Sequence, residues 1–285
     1  MRKELQWFDD EYPQELLKIK NAPDKIHVEG NEKLLNNSIG IVGIVGSRNS
    51  TEYGRKYARI FAEALSKRGI TIISGMAIGI DTQAHLGGLK GEGKTVAVLG
   101  SGLNNVTPEE NLWLYNKILN EGGLIISEKE DEEFAKSSDY QKRNRLICGI
   151  ADCILVVEAK KSSGTLMTAR IAKEQGKTVY FLPNRLNEQN SGGMQILAEE
   201  DAKMIFSPSQ IKIGKTAEIN KNSDLNISNI SEEYKEVYNC LASPKNVQEI
   251  AEGVDLDVQE INTKLTMMEL EGLIEKIENG KYRRI

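Results

Sequence analysis

Six short apolar runs recur through the middle of this 285-residue chain, with stretches of helical spacing between them. They cover 41–45, 70–73, 95–99, 124–126, 153–157 and 178–182, are rich in β-branched residues, and are bounded by glycine or charge. Runs that are apolar throughout, rather than alternating, suit strands buried on both faces. Between them the spacing predicts helices over 53–68, 79–90, 108–121, 144–151 and 164–175, with Pro108 in a first helical turn. This alternation leaves little choice of architecture. It predicts an α/β fold with a doubly wound, mostly parallel sheet and helices on both faces.

The pattern fades near residue 206. Residues 207–230 hold Ser, Asn, Lys and Ile in no regular period and read as a linker. Beyond them, 233–241, 246–253 and 257–271 have helical spacing, and two apolar runs flank Glu278-Asn279-Gly280-Lys281. Asn-Gly between such runs signals a hairpin. Three helices and a terminal hairpin predict a small winged-helix domain over 231–285. Residues 1–38, with Tyr12-Pro13 and Ala22-Pro23, read as a short N-terminal extension to a domain at 39–206.

Scarce residues narrow the chemistry. Cys148, Cys153 and Cys240 form no C-x-x-C pair, and a sparse, odd set fits a reducing compartment. With only His27 and His85 beside them, a structural zinc site is not expected, and neither is a cofactor. No G-x-S-x-G elbow or G-x-G-x-x-G fingerprint occurs. The opening Met1-Arg2-Lys3-Glu4 does not read as a signal peptide, and no apolar run is long enough for a membrane span, so a cytoplasmic location is expected.

In a doubly wound sheet, ligands bind outside the carboxyl ends of the strands. The first run is followed by Gly46-Ser47-Arg48-Asn49-Ser50-Thr51, which offers close backbone approach, hydroxyls, a guanidinium fork and a helix start. That set suits a phosphate; an ordinary glycine turn with a solvated Arg48 is the alternative. The second run leads to Ser74-Gly75 and on to Asp81 and His85, the first read as a helix cap and the second as a packed histidine. The third run leads to Gly100-Ser101-Gly102. After the fourth run and an acidic stretch at 130–133 comes Lys142-Arg143-Asn144-Arg145, placed at a predicted helix start. Cations there oppose the helix dipole, so nucleic-acid phosphates would supply the missing charge. Tyr140 beside them could stack on a base. The fifth run leads to Lys160-Lys161-Ser162-Ser163-Gly164-Thr165. Together these loops describe a polyanion groove without an obvious nucleophile, metal set or paired carboxylates.

Gly46-Ser47-Arg48, Ser74-Gly75-x-Ala77-x-Gly79-Ile80-Asp81-x-x-Ala84-His85, Arg143-Asn144-Arg145 and Val157-Glu158-Ala159 leading to Ser163-Gly164-Thr165 occur in one order and spacing. Read together they resemble the DprA/Smf family of DNA-processing proteins, over about residues 40–206. The tail resembles that family's winged-helix domain, while the helical N-terminal domain of many members is not expected here. The resemblance implies a Rossmann-like domain that binds single-stranded DNA, forms a homodimer and loads the RecA recombinase, without enzymatic activity. It implies that Arg48 holds a phosphate. Ser47, Ser74, Gly75, Gly164 and Thr165 would line its pocket, and Lys142, Arg143 and Asn144 would contact the strand. The sequence departs from the family at Tyr140-Gln141, where Phe-Pro is usual, and at Leu182-Pro183-Asn184, Gln195 and Asp201-Ala202. The last departure bears on the dimer and RecA contacts.

Two other classes compete. A nucleotide phosphoribohydrolase of the Lonely-guy type shares the sheet but needs a glutamate where this chain has Thr168. A transcription regulator would read DNA through the winged helix. Yet residues 231–285 hold 7 of the 37 Lys and Arg and 12 of the 42 Asp and Glu, leaving 30 of each elsewhere. The whole net charge of −5 therefore sits in the terminal module. That module suits a protein contact better than a DNA contact, and leaves the sheet end free to bind DNA.

Overall fold

The computed structural model describes residues 2–185, 190–213, 232–241, 243–254, 256–270, 273–277 and 280–284. The chain divides into two compact units, Met1–Ile219 and Asn220–Ile285.

The first unit is built on a nine-stranded sheet. Its strands are β1 (Arg2–Gln6), β2 (Lys25–Gly30), β3 (Ile41–Val45), β4 (Thr71–Ser74), β5 (Thr95–Val98), β6 (Leu124–Ser127), β7 (Cys153–Val156), β8 (Thr178–Phe181) and β9 (Lys203–Met204). Their spatial order is β1-β2-β6-β5-β4-β3-β7-β8-β9. From β6 to β9 every neighbouring pair is parallel, and β2 alone runs against the rest, pairing antiparallel with both β1 and β6. The helices are α1 (Glu52–Lys67), α2 (Ile80–Gly88), α3 (Leu112–Asn120), α4 (Ser137–Ile150), α5 (Gly164–Glu174) and α6 (Gly192–Glu199).

Alternate side chains of β3 serve opposite cores. Ile41 and Val45 pack with Leu146 and Ile147 of α4, whereas Val42 and Ile44 pack with Phe61 and Leu65 of α1. Between them, Gly43 is fixed by packing, since a Cβ there would lie 2.3 Å from Ile154 Cδ1. The doubly wound fold is as expected, and each of the six expected strands is present within a residue of its predicted ends.

Other expectations need correction. Residues 1–38 are no appendage: β1 and β2 extend the sheet, and Tyr12 is buried with its hydroxyl donating to the Pro23 carbonyl at 2.5 Å. Pro108 does not open α3. It precedes a 3-10 turn at Glu109–Asn111, and the helix begins at Leu112. The expected linker does not begin at 207. Pro208–Gln210 form a 3-10 turn, and Ile211 and Ile213 are buried in the α1-side core, because the chain's apolar residues still find a face to cover there. The rest of that segment, 214–230, lies outside the described residues.

The second unit contains helices at Glu232–Cys240, Val247–Ala251 and Val258–Leu270, followed by the antiparallel strands β10 (Ile274–Lys276) and β11 (Tyr282–Arg284). Asn246 caps the middle helix by accepting from Glu249 N at 2.8 Å, while the Glu249 carboxylate accepts from Asn246 N at 2.7 Å. Tyr238, Ile250, Ile261, Leu265, Met268 and Ile274 form its core. Asn279 of the expected hairpin turn lies outside the described residues. Among the described residues, no helix is long and apolar enough to cross a membrane.

Candidate functional site

The strand order reverses between β3 and β7, so the crevice of a doubly wound sheet opens at their carboxyl ends. The loops there are joined by Glu158, two residues past β7 and fully buried. Its carboxylate accepts from Thr51 N at 3.0 Å, from the Thr51 hydroxyl, and from Asn190 Nδ2 at 3.1 Å. Thr51 in turn caps α1 by accepting from Gly54 N. Asn190 Nδ2 also donates to Asn49 O at 2.8 Å. One buried anion thus fixes the loop after β3. Sequence reading missed Glu158 and Asn190 as supports, because their partners lie far away along the chain. An acidic residue directly after an apolar strand was the available signal.

The crevice has a volume of about 620 Å3. Ser47, Arg48, Tyr140, Arg143, Asn144, Gly164 and Thr165 line it, joined by Lys160 of the expected groove loops and by Asp81, which was read as a helix cap. Gly75 lines a small adjoining hollow of about 90 Å3 together with Arg48, Tyr140 and Arg143. Most of the residues singled out along the sequence therefore meet in one place.

The helix carrying the basic cluster starts at Ser137, not at residue 144. Asp139 in its first turn accepts from Lys136 N at 2.8 Å, as the dipole prefers. The cations stand in its second turn, so the dipole argument drawn from them fails. Ser137, Tyr140, Gln141, Asn144 and Ile147 share the cleft-facing side, at helical spacing. Lys142 falls off that side. It is exposed and lines a separate hollow with Glu128, Lys129 and Asp139. Arg145 ion-pairs with Glu128 at 2.5 Å.

Arg143 is buried, contrary to a free grip on a strand. Its Nη1 donates to Gly75 O at 2.7 Å and to Val98 O, and its Nε donates to Asn144 Oδ1 at 3.1 Å. The reason is positional: the side chain crosses the ends of β4 and β5 and satisfies carbonyls that the sheet leaves open there. Burial pulls its guanidinium down to about 10, against the nearby Asp81 charge. Asp81 is pushed up by its own burial, and Arg143 and the N–H groups of Ala77 and Gly75 counter this. Its carboxylate accepts from those two N–H groups at 3.4 and 3.1 Å, so it ties down the upstream loop rather than capping α2. Ser74 does not reach the cleft. It is buried, and its hydroxyl donates to Ile44 O at 2.7 Å, bracing β4 on β3.

His85 is the packed histidine expected. Its Nε2 accepts from Met76 N at 3.3 Å, which leaves the proton on Nδ1, 2.8 Å from Thr95 Oγ1; that hydroxyl donates onward to Ile72 O. Burial, with Arg143 adding to it, holds the imidazole down to about 3.

The free chemistry faces the opening. Arg48 is exposed, and its guanidinium lies 5.2 Å from the Tyr140 ring centroid. A base stacking on Tyr140 from that side must displace it. Gly164 opens α5 and is exposed, and a Cβ there would meet nothing within 4 Å. Ser163 accepts from Leu166 N, while the other first-turn N–H groups point out of the helix end. Thr168, in the slot where a hydrolase of this sheet type would need a glutamate, donates its hydroxyl to Gly164 O and accepts from Asn144.

A doubly wound sheet with helix N-termini, small residues and cations around its switch point defines a Rossmann-like domain with a cleft suited to an anion. Comparison with known proteins narrows this class. The family model described as DNA recombination-mediator protein A matches residues 3–214, and the chain belongs to that family. Protein Smf of Escherichia coli (strain K12) is 38% identical over 200 residues, covering 70% of this chain and 53% of the relative. DNA processing protein DprA of Bacillus subtilis (strain 168) is 34% identical over 201 residues, covering 70% and 67%. The chain thus spans about half the length of the Escherichia coli protein. Among solved structures, DNA processing protein A from Streptococcus pneumoniae matches with a TM-score of 0.69 at 33% identity, covering 76% of this chain and 73% of that one. DNA processing protein A from Helicobacter pylori, studied for its single-stranded DNA binding mode, matches with a TM-score of 0.68 at 28% identity, covering 78% and 97%.

Proposed function

We propose that this chain binds single-stranded DNA in the switch-point cleft, protects it, and loads RecA onto it. It does so in the cytoplasm, as a homodimer through the α/β domain, and without catalysing a reaction. The observation that carries the DNA reading is the cleft itself. Buried Arg143 spends its hydrogen bonds on neutral groups, exposed Arg48 and half-buried Lys160 stand at the opening, and α5 points its N-terminus inward. A phosphate would balance that positive potential. The Helicobacter pylori relative's single-stranded DNA binding supports the same reading. Asp81 is the one carboxylate among the described lining residues, and its oxygen is held by backbone donors, which favours binding over acid–base chemistry. RecA loading and pairing rest on family membership.

Fluorescence anisotropy with labelled single- and double-stranded oligonucleotides tests the reading. The single strand should bind more tightly, with log affinity falling by about 0.7 per log unit of salt for each phosphate neutralised. Arg48→Ala should weaken binding by about 1 kcal/mol, roughly fivefold, and flatten the salt slope by one such step. Unchanged affinity and slope would remove Arg48 from the interface. Faster RecA nucleation on single strands in the presence of the protein is the expected loading result.

A further inference from the structure

We propose that the corner where the N-terminal hairpin meets β6 is a binding site for one divalent zinc-like cation. Glu4 of β1 and His27 of β2 are direct cross-strand partners, and His27 is also paired with Ser127 at the end of β6. Glu130 follows three residues later. The register therefore brings three donors together: one ligand atom each from Glu4, His27 and Glu130 lie within 4.8 Å of one another.

The histidine marks this as more than an acidic cluster. His27 is only 9% exposed, and its Nε2 is buried without a hydrogen-bond partner among the described residues. A buried imidazole nitrogen without a partner is unfavourable. This one faces Glu130 Oε2 at 3.5 Å and Glu4 Oε2 at 3.9 Å. A tetrahedral zinc ion with ligands at about 2.0–2.1 Å holds donors ~3.4 Å apart, so small side-chain adjustments close the shell. On the far side of the ring, Asp131 Oδ1 is buried, also without a partner, and lies 4.0 Å from Nδ1. A small ring rotation on metal binding would bring that oxygen within hydrogen-bond range of Nδ1–H, the arrangement that leaves Nε2 free for a metal. One imidazole among carboxylates favours zinc, cobalt or nickel over magnesium or calcium.

Lys25 competes for the place. Its Nζ bonds Glu4 Oε2 at 2.8 Å and Glu130 Oε1 at 2.7 Å, holding both carboxylates with a single charge. A divalent ion would displace the ammonium, satisfy the imidazole as well, and fasten the hairpin to β6.

Calorimetric titration of the full chain with zinc chloride at pH 7.5 tests this. One saturable site per chain is expected, with cobalt giving the visible absorption of a low-symmetry four-coordinate ion. Glu130→Gln alters an exposed side chain, leaves the fold unchanged, and should weaken binding at least tenfold. His27→Asn should do the same, and Lys25→Met should tighten binding. Zinc should raise the melting temperature of the parent but not of Glu130→Gln. Absence of a saturable site overturns the proposal, and so does parent-like zinc affinity in Glu130→Gln.

Discussion

Acid should destabilise this protein through one buried histidine. His85 is fully enclosed, neutral, and bonded on both nitrogens, and burial holds it down to about 3 against an ordinary 6.5. Between those values the unfolded chain binds the proton that the folded chain refuses. Stability is therefore complete above about pH 6.5 and falls as the pH drops towards 3, by about 1.4 kcal/mol per unit. From pH 7.5 to 4.5 the loss from this one group is roughly 3 kcal/mol. Other titrating groups contribute as well, so the measurement compares the parent with His85→Gln in urea unfolding at both values. The parent should lose roughly 3 kcal/mol more than the variant. The histidine matters to the cleft because it anchors Met76, whose φ of 60° places the loop beside Ala77 in the left-handed region. Equal acid losses in parent and variant would refute the argument, as would an imidazole resonance of His85 titrating near pH 6.

Arg143→Met should lower stability by about 3 kcal/mol, since two charge-assisted hydrogen bonds to carbonyls vanish and Asp81 loses its nearby cation, partly offset by relief of a buried charge. For a unit of this size that is about 6–12 °C in melting temperature; a variant that melts like the parent yet loses DNA would restore Arg143 as a direct strand contact. Glu158→Gln keeps the volume but turns an amide towards the Thr51 donors, and should cost about 2 kcal/mol in chemical unfolding.

The sheet was legible because its central strands are buried on both faces, so their sequence is continuously apolar. The strands towards the two edges were not. In Lys25–Gly30 the apolar positions are interrupted by lysine, histidine and glutamate, and β9 has two residues. The start of α4 was hidden by Ser137, Ser138 and Asp139, a polar first turn without apolar periodicity. Loop chemistry singled out residues most of which line one cleft, since chain order fixes which loops share a sheet end. It could not tell inward from outward. Arg143 and Lys142 are adjacent cations, yet one satisfies carbonyls in the interior and the other faces solvent. Ser74 and Ser47 show the same ambiguity among hydroxyls. The charge split between the two units was plain from counting alone.

The proposed DNA site centres on the cleft at the α5 N-terminus, and Gly164 gives the cleanest access to it. A Cβ there would meet nothing within 4 Å, and leucine is a better helix former than glycine, so Gly164→Leu should fold and melt like the parent. It would fill the space a phosphate needs against the helix end. Single-strand affinity measured by anisotropy should fall at least tenfold in this variant. Parent-like affinity in a fully folded Gly164→Leu protein would contradict the assignment of DNA to this cleft.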